Sequence, residues 1–195
     1  GQRILKEYGS LDIDYAGFDY SEPLVAHVKR SDPSLNVSLM DVTRFESGPA
    51  YDLIMLLGGL HHVPRHTVAV IGRMHDALRE GGYFISFEPT HNNLLFRKIR
   101  EHIYRRNNLF DAETEEAFEL SKLDSYFRQN GFRLVRQLYP GLLAYVLYYN
   151  PDAFPWLNRG SESVVRAIFN LEKSMYANFI GRKFSFATLS LWQKA

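Results

Sequence analysis

The chain has 195 residues, with 23 Lys and Arg against 22 Asp and Glu, and a formal net charge of +1 removes any global electrostatic case for a nucleic-acid partner. Cysteine is absent, which excludes disulfides and thiolate metal sites and makes a reducing, cytoplasmic compartment the expectation. The most apolar run, "GLLAYVLYY" (141–149), falls far short of the about 20 residues of a membrane span, and one domain that buries roughly 70% of its unfolded surface is expected instead.

In chain order, "QRILKEYGS" reads as a helix with Ile4 and Leu5 on its buried side, ending near Gly9. "DYAGF" (14–18) is a short strand that ends on an acid, Asp19. Ser21 is placed to cap the next helix, in which Leu24, Val25 and Val28 share a face until "RSDPS" stops it. Extended "NVSLM" (36–40) leads to a second terminal acid, Asp41. A loop through "ESGPA" then reaches "YDLIMLL", apolar enough for a strand covered on both faces. "GGLHHVP" follows, then a helix carrying Val70, Met74 and Leu78. That helix is expected to close at "REGG", directly before the strand "YFISFE".

Strands alternating with helices imply a parallel sheet with right-handed crossovers, which puts the three strand tips on one edge and makes Asp19 and Asp41 neighbours. An acid there either accepts hydrogen bonds from the two hydroxyls of a ribose or simply caps the loop that follows. The remainder departs from the alternation. An insertion at about 91–120 is first basic, then acidic, and a helix at about 121–130 introduces the strand "FRLVRQL". A second insertion at about 150–181 includes a helix with Val164, Ile168, Leu171, Met175 and Phe179 at helical spacing. The ending "KFSFATLSLWQK" alternates phenylalanines as a strand with one buried face would.

The ordered set "GFDYSEPL", "MDVTRF", "YDLIMLLGGLHHVP" and "ALREGGYFISFEP" resembles the class I S-adenosylmethionine-dependent methyltransferases over residues 1 to about 90, and the last two expected strands are similar to that family's ending. The resemblance implies an α/β, Rossmann-like doubly wound sheet of seven strands, mostly parallel with an antiparallel last strand, and helices on both faces. It implies S-adenosylmethionine as cofactor. Asp19 would hold its ribose, Tyr20 would pack on the adenine, and Asp41 with Val42 would contact the adenine amine. Leu57, Gly58 and Gly59 would lie along the methionine part. The family's first strand and glycine-rich turn have no counterpart, and Gly1 falls where the last glycine of that turn would be. The expectation is an incomplete copy of the domain, or one completed by another segment, with weak or absent cofactor binding. Omitting that strand would leave unpaired backbone on the strands ending at Asp19 and Leu57.

A sulfonium carries its own leaving group, so the protein supplies alignment, a dry site and, for a protonated acceptor, a base. His62 and His61 in the loop after the apolar strand suit that role, since imidazole titrates near neutrality. Glu88 and His91 also face the expected substrate edge, whereas His27 and His75 sit within helices. No HExxH pattern accompanies the adjacent histidines, and no metal is expected. The amphipathic "LLFRKIREHIYRR" is either a lid with a solvated charged face or a contact for phosphate or an anionic membrane surface. The leading expectation is a methyltransferase for small-molecule or lipid-linked acceptors. The competitors are a non-catalytic relative acting as a binding or scaffolding partner, and a nicotinamide-dependent dehydrogenase.

Overall fold

Strands β1 (Ala16–Asp19) and β2 (Asn36–Leu39) pair in parallel, with Asp19 opposite Leu39, in a computed structural model that describes residues 13–90, 117–149 and 162–195. A parallel pair needs a crossover, supplied by helix α1 (Glu22–Ser31), which carries its proline in the first turn where the missing N–H costs nothing. The expected apolar face of α1 narrows: Val25 is buried and Val28 half-buried, but Leu24 is exposed. Phe18 of β1 stacks on buried Phe45 at 5.3 Å. These elements belong to a compact unit of residues 1–46, and residues 47–195 form a second.

The second unit is built on a four-stranded sheet of order β3–β4–β6–β5. Its strands are β3 (Tyr51–Leu57), β4 (Leu78–Pro89), β5 (Phe132–Leu138) and β6 (Ala187–Lys194). β3 and β4 are parallel, and β6 runs antiparallel to both β4 and β5, so the expected antiparallel last strand is present. The seven-stranded sheet is not: the described residues form six strands in two sheets, and β1 and β3 each have a single strand partner.

Four expectations change in detail. β3 is not covered on both faces, because Leu53, Met55 and Leu57 are all well exposed. The helix before β4, α2 (Thr67–Ala77), ends one turn before the glycines; the strand starts at Leu78, and Gly81 and Gly82 lie instead where the β3–β4 register slips. Gly81 adopts φ +74, a conformation that disfavours any side chain. The phenylalanines of "KFSF" precede β6, whose buried positions are Ala187, Thr188, Ser190, Trp192 and Lys194. The single helix expected at 162–180 is broken into α5 (Glu162–Glu172), a 3-10 turn at Lys173–Met175 and α6 (Phe179–Phe184). Its expected apolar stripe faces outward, with Leu171 75% and Phe179 72% exposed, while Glu172 and Tyr176 are buried.

The core of this unit lies on the sheet face carrying Phe84 and Trp192, which oppose each other across β4 and β6. Helix α2 contributes Val70, Ile71 and Met74, and helix α3 (Leu120–Gln129) contributes Leu123 and Phe127, all buried. The Phe127 ring stacks on Trp192 at 4.6 Å and 5°, and it also meets Phe84 at 5.3 Å and Phe132 at 5.6 Å. Residues 91–116 and 150–161, which hold most of the two expected insertions, lie outside the described residues. Among those described, no helix is long and apolar enough to cross a membrane.

The buried Glu172 explains the shifted phase of α5. Its carboxylate accepts the Ala144 N–H at 3.1 Å, satisfying a donor in the first turn of α4 (Leu143–Tyr149). Burial pushes its pKa above the ordinary 4.5, only partly opposed by the Ala144 and Leu143 N–H groups and Tyr176. Burial and the Glu172 carboxylate together push the Tyr176 hydroxyl up to about 12. A carboxyl with a raised folded pKa stabilises the fold most below its unfolded value, and that contribution is lost as pH rises through the folded one. Glu172→Gln keeps an acceptor for Ala144 and stays neutral. Thermal midpoints measured across pH should therefore fall in the wild type above pH 4.5 relative to the variant. Parallel curves for the two proteins would contradict this.

Candidate functional site

The two acids lie at the C-terminal end of the β1–β2 pair, Asp19 as the last residue of β1 and Asp41 two residues past the end of β2. The register sets Asp19 opposite Leu39, and the next residue, Met40, donates its N–H to the Asp19 carbonyl at 3.0 Å, with Asp41 following it in the chain. Both carboxylates also shape their own loops. Asp19 Oδ1 accepts the Ser21 N–H at 2.8 Å, which leaves Ser21 at the helix N-cap with no side-chain bond of its own. Asp41 Oδ1 accepts the Thr43 N–H and the Thr43 hydroxyl, each at 2.8 Å, and so caps the 3-10 turn Val42–Arg44. The capping role and a ligand role are compatible, because each oxygen has two lone pairs and Asp19 Oδ2 has no partner among the described residues. Tyr20, beside Asp19, presents its ring to solvent at 74% exposure, and Val42 is half-buried.

The second unit builds a different constellation at the ends of β3 and β4. Leu57 lies opposite Phe87, so Gly58, the first residue past β3, is level with Glu88 near the end of β4. Gly58, at φ +69, turns the chain out of β3 while its N–H donates to the Phe87 carbonyl at 2.7 Å. That turn delivers the next N–H groups to Glu88. Glu88 Oε1 accepts from Gly59 at 3.1 Å and Leu60 at 2.9 Å, while Oε2 accepts from His61 N–H at 3.3 Å and lies 2.9 Å from His61 Nδ1. The carboxylate is fully buried, on the same face of β4 as Phe84 and Ser86. Burying it without partners would be costly; three main-chain N–H donors and a close ring nitrogen make it the anchor of the loop. His61 is partly covered, and its ring lies 4.0 Å from that of exposed His62.

Sequence reasoning placed Asp19, Tyr20, Asp41, Val42, Leu57, Gly58, Gly59, His61 and His62 at strand ends and the turns after them, and each is found there. Gly1 and His91 lie outside the described residues. What it missed was the union of Glu88 with the 59–61 loop. A clue was present in the alternation of "YFISFE", which sets Glu88 on the face of Phe84. Among the described residues no group of three His, Asp or Glu side chains is arranged to hold a metal ion.

Residues 1–86 match a family model described as a methyltransferase domain. Among solved structures, the chain is similar to the cyclopropane synthase MmaA2 of Mycobacterium tuberculosis, at 16% identity and a TM-score of 0.67, covering 100% of this chain and 74% of that one. It is also similar to a SAM-dependent methyltransferase of Archaeoglobus fulgidus, at 17% identity and a TM-score of 0.62, covering 99% and 80%. An S-adenosylmethionine-dependent methyltransferase of Mesorhizobium loti matches at 12% identity and a TM-score of 0.63, covering 97% and 85%. At these identities the likeness is one of fold. No curated protein sequence matches the chain.

Proposed function

We propose that the chain, of which residues 1–86 match a methyltransferase-domain family model and which has the Rossmann-like fold of class I S-adenosylmethionine-dependent methyltransferases, transfers a methyl group to a small-molecule or lipid-linked acceptor. The observation that carries the reading is the pairing of β1 with β2, which brings the Asp19 and Asp41 carboxylates to adjacent strand ends. Asp19, half-buried with Oδ2 open, suits a ribose diol, since one carboxylate accepts from both hydroxyls. Tyr20 offers an uncommitted ring to the adenine, and Asp41 an acceptor to its amine, with Val42 beside it.

S-adenosylmethionine, when bound, supplies an electrophilic methyl on a sulfonium. The chain's own residues then have three tasks: holding the nucleoside, orienting the acceptor and receiving the acceptor's proton. His61 and His62 are the side chains for the last. A cytoplasmic setting is supported by the absence of cysteine. A second reading, a non-catalytic relative that binds partners through the sheet, draws on the single strand partners of β1 and β3.

Thermal unfolding of the complete domain with S-adenosylhomocysteine and with a nicotinamide dinucleotide, at equal concentrations, tests the reading. A ligand that binds only the native state raises the midpoint. The proposal expects a dose-dependent rise with S-adenosylhomocysteine alone; a rise only with the dinucleotide overturns it.

A further inference from the structure

We propose that Glu88 is a positioning residue that locks His61 in one tautomer, with the proton on Nδ1 and Nε2 left as an acceptor. The inference rests on the methyltransferase reading for its chemical consequence, but its geometric part stands independently. Glu88 receives three main-chain N–H groups that cannot be anything but donors. Those contacts fix both oxygens in acceptor roles. The fourth contact, 2.9 Å from Oε2 to His61 Nδ1, is then completed by a ring N–H, just as the partner of one imidazole nitrogen decides the state of the other. Because the same carboxylate holds the main chain of Gly59, Leu60 and His61, loop and ring are set by one group. Loop placement and tautomer therefore cannot drift apart.

The consequence names an acceptor class. An imidazole presenting a lone pair at Nε2 serves a nucleophile that must lose a proton, namely a hydroxyl or an ammonium-derived nitrogen. In the step, a lone pair of the acceptor's oxygen or nitrogen forms the new bond to the methyl carbon. The carbon–sulfur bond breaks with its electron pair going to sulfur, and the acceptor's proton goes to His61 Nε2. Charge balances, since the sulfonium becomes a neutral thioether as the imidazole becomes imidazolium. His62, packed on the His61 ring at 4.0 Å, limits the direction from which an acceptor reaches Nε2.

The test is the imidazole 15N spectrum of the full chain, recorded at mildly alkaline pH, with the His61 signals assigned by their loss in His61→Gln. The proposal expects His61 to show a protonated Nδ1 and a bare Nε2. Glu88→Gln retains an oxygen for Gly59 and Leu60 but turns an amide N–H toward Nδ1, so the tautomer should invert. In a methyl-transfer assay with hydroxyl or amine acceptors, the same variant should lose about 100-fold or more in kcat with little change in KM, the scale of general-base catalysis. A wild-type His61 protonated on Nε2 overturns the proposal without any variant having to fold. So does an unchanged tautomer, or an unchanged kcat, in a folded Glu88→Gln protein. The expected tautomer in a complete domain that binds no S-adenosylhomocysteine would keep the positioning role and remove the methyltransferase reading instead.

Discussion

Phe127→Ala should destabilise the second unit by about 4 kcal/mol, within the range of 3–5 kcal/mol typical of a buried phenylalanine truncated to alanine. The ring is fully buried and sits at the centre of an aromatic cluster, stacked on Trp192 and in contact with Phe84 and Phe132. Its removal forfeits both the transferred area and the oriented ring contacts, which add about 0.5–1.5 kcal/mol per pair. The cavity would lie between α3 and a sheet face already fixed by β-pairing, so little collapse can fill it. For a domain whose whole stability is about 5–15 kcal/mol, this is a large share. Denaturant unfolding followed by far-UV circular dichroism measures it. Leu171→Ala, at a position 75% exposed, is the control and should shift stability by no more than about 0.5 kcal/mol. A loss below about 1 kcal/mol for Phe127→Ala would mean that the cluster is not the core.

In the complete protein, Asp19→Ala should weaken S-adenosylhomocysteine binding by about 2–3 kcal/mol, or about 30- to 150-fold, the scale of charge-assisted hydrogen bonds lost from a site. The competing explanation is structural, because Asp19 Oδ1 also accepts the Ser21 N–H at the start of α1. Asp19→Asn separates the two. It retains an amide oxygen for Ser21 but replaces a carboxylate that accepts from two hydroxyls by a group that accepts at one atom only. The ribose account expects Asn to bind clearly more weakly than Asp, by roughly 1–2 kcal/mol. A purely structural account expects Asn to match the wild type.

The strand-end acids were legible because they depend on local pattern: a short apolar rise, an acid, and a helix that forces the next strand to run parallel. The parallel run of β1 and β2, with both tips on one edge, follows from that order, while the pairing of Asp19 with Leu39 is supplied by the structure. The outward turn of Leu171 and Phe179 was not legible. The apolar stripe at 164, 168, 171, 175 and 179 competes with a neighbouring phase that buries Glu172 and Tyr176. What decides between them is an Ala144 N–H that is distant in sequence and needs an acceptor. Similarly, β3 is as apolar as a covered strand, yet exposure depends on what packs against it, and composition records only the tendency. Glu88 combines both cases. Its face was readable from the alternation of β4, but its partners come from a loop 27 to 29 residues earlier, and only the β3–β4 register brings them to it.

The most direct measurement is an amide chemical-shift titration of the full chain with S-adenosylhomocysteine, which registers weak as well as tight binding. The account predicts that the largest changes cluster on two peptide stretches, 17–20 and 40–43, and saturate with a single dissociation constant. Changes that avoid Asp19 and Asp41 while the ligand saturates elsewhere, or an equal response of these residues to a nicotinamide dinucleotide, would contradict it.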